Sequence, residues 1–287
     1  MNLNEQTYRI KQMMGLLSEQ DNTKQMCEAK VNKTTLDKAK TWWKNWLSNP
    51  STIQRFKDTH KELNDERVKK SFEKYNEIID KITIRYNYNG DEKGEIMSVI
   101  PTEKFVIYVN CSAIKDMDEH EIVSTFVHEI QHWIWNKAKN TLIPLGKALD
   151  DFGIDYSGLD PMTGEGLELN QENVDKSYNK LKAEGFSDDL LKYYMKGLNW
   201  YYKEGPTIYV NDHDELSSYI YDLRAFIGKD ANQQITVDDV KKVIEKDKAY
   251  PYHFMIFVLK SGKSMAETLN NVNSYAVNKN PNQPKIG

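Results

Sequence analysis

The sequence predicts an α+β fold: a helical amino-terminal portion, a small mixed or antiparallel sheet, one long helix rich in chemistry, and a helical carboxy-terminal portion. Three observations predict it. Apolar residues recur at helical spacing between Lys24 and Lys81, alternate with polar neighbours from Ile82 to Val109, and return to helical spacing after Asp118. The 287 residues suit one large domain with a modest appendage. The hydrophobic fraction of 39% is low, yet 17 Tyr, 9 Phe and 6 Trp supply core bulk and argue against global disorder.

Taken in order, Tyr8, Ile10, Met13, Met14 and Leu17 share one helical face, and the polar run Asp21-Asn22-Thr23 interrupts it. Residues 1–23 therefore read as an amphipathic segment ahead of a main domain over 24–277, with 278–287 a disordered tail. Thr34 or Thr35 can cap a helix that carries Trp42, Trp43, Trp46 and Leu47, whose aromatic cluster reads as helix-packing core; Asn49-Pro50 ends it. A second helix runs from about Ser51 through Phe56 and Leu63, and a third carries Phe72, Tyr75, Ile78 and Ile79. The 14 basic against 9 acidic side chains between Lys24 and Lys81 read as a solvated face.

Ile82, Ile84, Tyr86 and Tyr88 mark a strand, Asn89-Gly90-Asp91 a turn, Ile96 to Ile100 a second strand and Phe105 to Val109 a third. Connections this short favour largely antiparallel pairing. Asp118 and Glu121 have capping-box spacing, so a helix starts there and can reach Lys139. Residues 148–175 hold eight acidic side chains and no Lys or Arg, which reads as a long acidic loop; a cation site there lacks the Asp-x-Asp-x-Asp-Gly spacing of a calcium loop. Ser187 caps an aromatic-rich helix, Thr207 to Val210 is a short strand, Asp212 to Ile227 is a helix ending at Gly228, and Thr236 opens a helix to about Lys246.

Some functions are excluded by composition. A net charge of −4 provides no overall basic field for nucleic acid or anionic lipid. The longest apolar run, Phe254 to Leu259, is too short to span a membrane, and no secretory hydrophobic region opens the chain. A soluble intracellular protein is expected, with Cys27 and Cys111 as reduced thiols.

The chemistry concentrates in Val127-His128-Glu129-Ile130-Gln131-His132-Trp133. Two histidines four apart on a helix differ by only about 40° around its axis, so both imidazoles can converge on one ion. Glu129 lies roughly 100° from His128, within reach of a water on that ion without being a ligand, as a general base requires. Zinc held by neutral imidazoles lowers the pKa of its water to about 7. Phe126, Val127, Ile130, Trp133 and Ile134 surround the polar trio with apolar bulk, as expected for a buried helix rather than a solvated one.

On this motif the chain resembles the zincin metallopeptidases, whose active-site helix carries His-Glu-x-x-His after a small mixed sheet. The extended metzincin form requires Gly and His where this chain has Trp135 and Ala138. The resemblance is therefore to the gluzincin branch, which implies a third ligand from a later helix. Carried onto Asp212-His213-Asp214-Glu215-Leu216-Ser217-Ser218-Tyr219, that ligand is Glu215. The thermolysin-like form has Asp four residues later; here Tyr219 stands, and Asp222 could orient an imidazole instead. Asp212 and Glu215 also have capping-box spacing, so Asp212, His213 and Asp214 stay open as alternative ligands. The oxyanion-stabilising group is open among Tyr209, His213 and Tyr219. His120 reads as a surface histidine and His253 as a core one.

A further resemblance is to uncharacterised zincin-like proteins of large tailed phages, carried by Tyr8 to Gln20 and by Trp43-Lys44-Asn45-Trp46-Leu47-Ser48-Asn49-Pro50. Leu17-Ser18-Glu19 matches the pattern that prohead proteases cut, which would make residues 1–19 a removable capsid-targeting peptide; a helix docking on the domain is the alternative. Together the resemblances imply a zinc-dependent peptidase of the host cytoplasm or the virion: His128, His132 and Glu215 hold Zn2+, Glu129 is the base, and the substrate is a protein or peptide lying along an edge strand, with Phe105 to Val109 nearest. The rival expectation is a virion or host-interaction protein that keeps the fold for binding rather than catalysis.

Overall fold

Asn32 joins the first two helices. Its side chain accepts from the backbone N–H groups of Thr34 and Thr35 at 2.8 and 3.3 Å, while its own N–H donates to Thr35 Oγ1 at 3.0 Å. This reciprocal box satisfies orphan donors at the start of α2 (Lys33–Ser48) and separates it from α1 (Glu19–Lys30). The cap is thus Asn32 rather than Thr34 or Thr35, with Thr35 as its return partner. α1 also runs straight through Asp21-Asn22-Thr23, which the sequence reads as a break. The computed structural model describes residues 19–59, 64–88, 97–99, 105–141, 169–204, 213–230 and 233–273. The amphipathic face at 8–17, the Asn89-Gly90-Asp91 turn, most of the acidic segment, the strand expected at Thr207 to Val210 and the tail lie outside them.

α3 (Pro50–Thr59) and α4 (Asp65–Lys81) follow, the latter capped by Asn64 accepting from Arg67 N–H. The sheet comes next: β1 (Thr83–Asn87), β2 (Met97–Val99) and β3 (Val106–Asn110). Its order is β1-β3-β2, with β1 parallel to β3 from Thr83↔Val106 to Asn87↔Asn110, and β2 antiparallel to β3 from Met97↔Val109 to Val99↔Ile107. The sheet is therefore mixed, and the largely antiparallel pairing expected from connection length holds only for β2 and β3. The last strand inserts between the first two, so Val106 to Val109 is central. Its hydrogen-bonding edges are taken on both sides, and it cannot receive a substrate strand as the sequence reading expects.

α5 (Glu119–Thr141) starts at the expected box: Glu121 N–H donates to Asp118 Oδ1 at 3.0 Å and Asp118 N–H to Glu121 Oε2 at 2.6 Å. The carboxy-terminal portion is helical: α6 (Gln171–Ala183), α7 (Asp188–Lys203), α8 (His213–Phe226), α9 (Val237–Lys246), α10 (Tyr252–Lys260) and α11 (Met265–Asn273). Ser187 and Thr236 cap α7 and α9 as their sequences indicate, and Gly228 takes a positive φ of 71° just after α8. Asn170 opens α6, so the acidic stretch 171–175 is helical rather than loop. The architecture is α+β, and among the described residues no helix is long and apolar enough to cross a membrane.

Among the described residues two hydrophobic clusters form. The first joins α1, α2, α4, the sheet and α5, and centres on Trp43, fully buried against Trp42, Trp46 and Tyr221 at ring-centroid distances of 5.3, 5.4 and 5.0 Å. The second holds α6, α7, α9, α10 and α11. α8 serves both: Tyr221 and Ala225 enter the first cluster, Ile220, Leu223 and Phe226 the second. A Cys27–Cys111 disulfide, Cα atoms 5.3 Å apart, ties α1 to the end of β3. This corrects the expectation of two reduced thiols. The packing of α1 across the sheet end brings together cysteines 84 residues apart, which no local pattern reports.

Candidate metal centre

Apolar packing and two indole hydrogen bonds fix α5 on its core side. Ile122, Phe126, Val127, Ile130, Trp133 and Ile134 are each at most 2% exposed. Trp43 Nε1 donates to Val127 O at 2.9 Å, and Trp133 Nε1 reaches Val106 O at 3.3 Å, so the indoles anchor the helix to α2 and to the central strand. Phe105, in the left-handed region at φ 60°, packs its ring 5.6 Å from that of Trp133. These anchors bracket the site residues along the helix.

Between them, His128 and His132 lie with ring centroids 4.9 Å apart and planes 70° to each other. Glu129 and His132 are buried, at 7% and 9% exposure, and the His128 side chain is 12% exposed. The exposed-helix alternative is therefore excluded: the trio belongs to the interior. His120, on the first turn, is exposed as expected.

The partner helix is α8. Asp222 Oδ2 stands 3.3 Å from His128 Nδ1, the relation the sequence suggested for this carboxylate. A carboxylate at Nδ1 selects the tautomer with its proton there and leaves Nε2 as a lone-pair donor. Tyr219, one turn earlier on α8, brings its ring to 5.2 Å from that of His128. The Tyr250 hydroxyl meets Ser124 Oγ, one turn before His128; because Ser124 donates to Glu121 O at 2.9 Å, Tyr250 is the donor. Burial first, and the Asp222 charge second, push the Tyr250 phenol well above its usual range, so it remains a neutral hydroxyl beside the site.

The two helices are antiparallel. Lys246 Nζ bonds Asp118 Oδ2 at 2.7 Å and sits 4.5 Å over the Phe226 ring, which brings the start of α5 to the end of α8. Backbone position 215 lies in the first turn of α8, seven residues before Asp222 and within about 20° of it around the helix, towards the His132 end of α5. The side chains of His213, Asp214 and Glu215, and all of Tyr209 and Asp212, lie outside the described residues. Among the described residues no three His, Cys, Asp or Glu side chains gather closely enough to hold a metal. The site as described is two imidazoles with a carboxylate behind one of them.

Sequence reasoning misplaced one residue. His253, read as a core histidine, is half-buried; its Nε2 is 2.7 Å from Tyr201 Oη and its ring is stacked on Tyr219. No signal marks it, because the contact joins helices 34 residues apart in the chain. No protein family, curated protein or solved structure matches this chain.

Proposed function

We propose that the chain is a zinc-dependent peptidase of zincin type, with His128, His132 and Glu215 as the metal's ligands and Glu129 as the general base. The observation that carries the reading is the His128–His132 pair on one helical turn, rings 4.9 Å apart, with Asp222 Oδ2 at Nδ1 of His128. That donor set suits zinc: neutral imidazoles from an i, i+4 pair, one of them oriented by a carboxylate. Zinc, when bound, supplies Lewis acidity and lowers the pKa of water towards neutrality.

The chain's own groups supply the rest. Asp222 orients His128 and raises its basicity as a ligand. Glu129, one residue round the helix from His128, takes the proton of the attacking water and returns it to the leaving amine. It is buried, at 7% exposure, on the same helix as both imidazoles. Tyr219 is the described member of the three oxyanion candidates that borders the site, and its phenol would stabilise charge on the scissile carbonyl oxygen. Position 215 shares the Asp222 face of α8, which supports Glu215 over Asp212, His213 and Asp214 as the third ligand. A peptide substrate would add to the sheet at β2 or β1, the outer strands among the described residues, instead of β3.

Glu129→Gln tests the reading. Hydrolysis of a peptide-library substrate should fall by at least about 100-fold, with bound zinc unchanged. Undiminished hydrolysis would remove Glu129 from the mechanism, and a wild-type chain that holds zinc yet cleaves no peptide would favour the binding protein over the enzyme.

A further inference from the structure

Four rings from four helices make a connected series that starts at His128. Tyr219 of α8 meets His128 at 5.2 Å with planes at 47°. Tyr219 is stacked on His253 of α10 at 4.7 Å, with only 10° between the planes. His253 Nε2 is in turn 2.7 Å from the Tyr201 hydroxyl of α7. The series leads from His128 towards the second hydrophobic cluster, against which Tyr219 packs.

We propose that His253, anchored by Tyr201, is a positioning residue that holds the Tyr219 ring against His128 and so fixes the orientation of that imidazole. Asp222 Oδ2 meets the His128 imidazole at Nδ1, 3.3 Å away, and the Tyr219 ring packs against the same imidazole at 5.2 Å. A ring packed at a tilt beside it restricts rotation of the imidazole about its Cβ–Cγ bond, provided the ring itself is immobile. Tyr219 gains this immobility from a near-parallel partner, and the partner from a short hydrogen bond to a third helix. Histidine is suited to the task because it stacks through its face while its edge nitrogen bonds the Tyr201 hydroxyl; phenylalanine could do only the first.

The platform is rigid. Phe254 to Leu259, directly after His253, are each at most 4% exposed. On its amino-terminal side Tyr252 is inserted against α7 at Gly197, where any Cβ would collide with the Tyr252 hydroxyl. α10 is therefore set in register on α7, and His253 is carried to Tyr219 by packing established elsewhere. Positioning of the rings does not depend on a metal; its consequence for zinc rests on the metal-centre reading above.

The test uses the full chain with labelled histidine rings, first free of metal and then titrated with Co2+. His253→Ala should move the His128 ring resonances away from their ring-current-shifted positions and weaken Co2+ binding about tenfold, with a changed visible spectrum. His253→Phe, which restores a stacking face, should recover most of both effects, and Tyr201→Phe should produce the same changes on a smaller scale. Unmoved His128 resonances in His253→Ala, with far-ultraviolet circular dichroism showing an intact fold, would overturn the proposal. So would His253→Phe behaving like the alanine variant. If His253→Ala does not fold, Tyr201→Phe decides by the same resonances. Failure of the wild-type chain to bind Co2+ would overturn the metal-centre reading, while the metal-free resonances would still decide the positioning role.

Discussion

The two hydrophobic clusters are built on different principles. The amino-terminal one combines helices with a disulfide and a sheet: Cys27 is bonded to Cys111, Trp43 to Val127 O and Tyr86 to Val31 O, around three strands of which the last enters between the first two. The carboxy-terminal one is all helix, with caps at Asn170, Ser187 and Thr236 and cross-helix bonds such as Ser177 to Val258 O. The sheet-and-helix construction holds α5 in place, and the all-helical construction carries His253 to Tyr219. α8 belongs to both clusters, so the candidate site lies where the two meet.

That contrast can be broken most forcefully at Trp43. Trp43→Ala removes the largest fully buried side chain of the first cluster together with its bond to Val127 O, and should destabilise the protein by about 3–5 kcal/mol. Urea unfolding followed by fluorescence would measure it, and a loss under about 1 kcal/mol would show that the cluster does not depend on this indole. Reducing the Cys27–Cys111 disulfide should come next, with about 2–4 kcal/mol lost as 84 residues of separation are freed in the unfolded chain. Comparing urea midpoints with and without reductant checks this; intact-mass analysis that finds two free thiols would contradict the disulfide itself. The smallest effect belongs to the helical half. Glu184 accepts from Met265 N–H at 2.8 Å and Ala266 N–H at 2.9 Å, capping α11 from a distance, so Glu184→Ala should cost only about 1 kcal/mol. A cost as large as that of the disulfide would remove the distinction between the halves.

Legibility in the sequence follows the same division. Helix starts marked by a capping side chain, at Asp118, Ser187 and Thr236, could be read because a cap is a local event. The burial of the His-Glu-x-x-His trio was readable from its apolar neighbours, and Asp222 from helical phase alone. The sheet order was not, since alternation identifies strands without naming their neighbours. α10 was missed because it is buried on every side, so Phe254 to Leu259 shows no period. α1 passed through a polar run that the sequence treats as a break because packing on the sheet outweighs weak propensity. The disulfide and the Tyr201–His253–Tyr219 series depend on tertiary proximity and leave no trace in spacing.

The central claim, that His128 and His132 hold a zinc ion between them, is tested most directly by the metal content of the purified chain after dialysis against zinc. Stoichiometric zinc in the wild-type protein, lost in His132→Ala while the fold persists, is the result this account predicts. Zinc retained in full by His132→Ala, or never taken up by the wild-type chain, would contradict it.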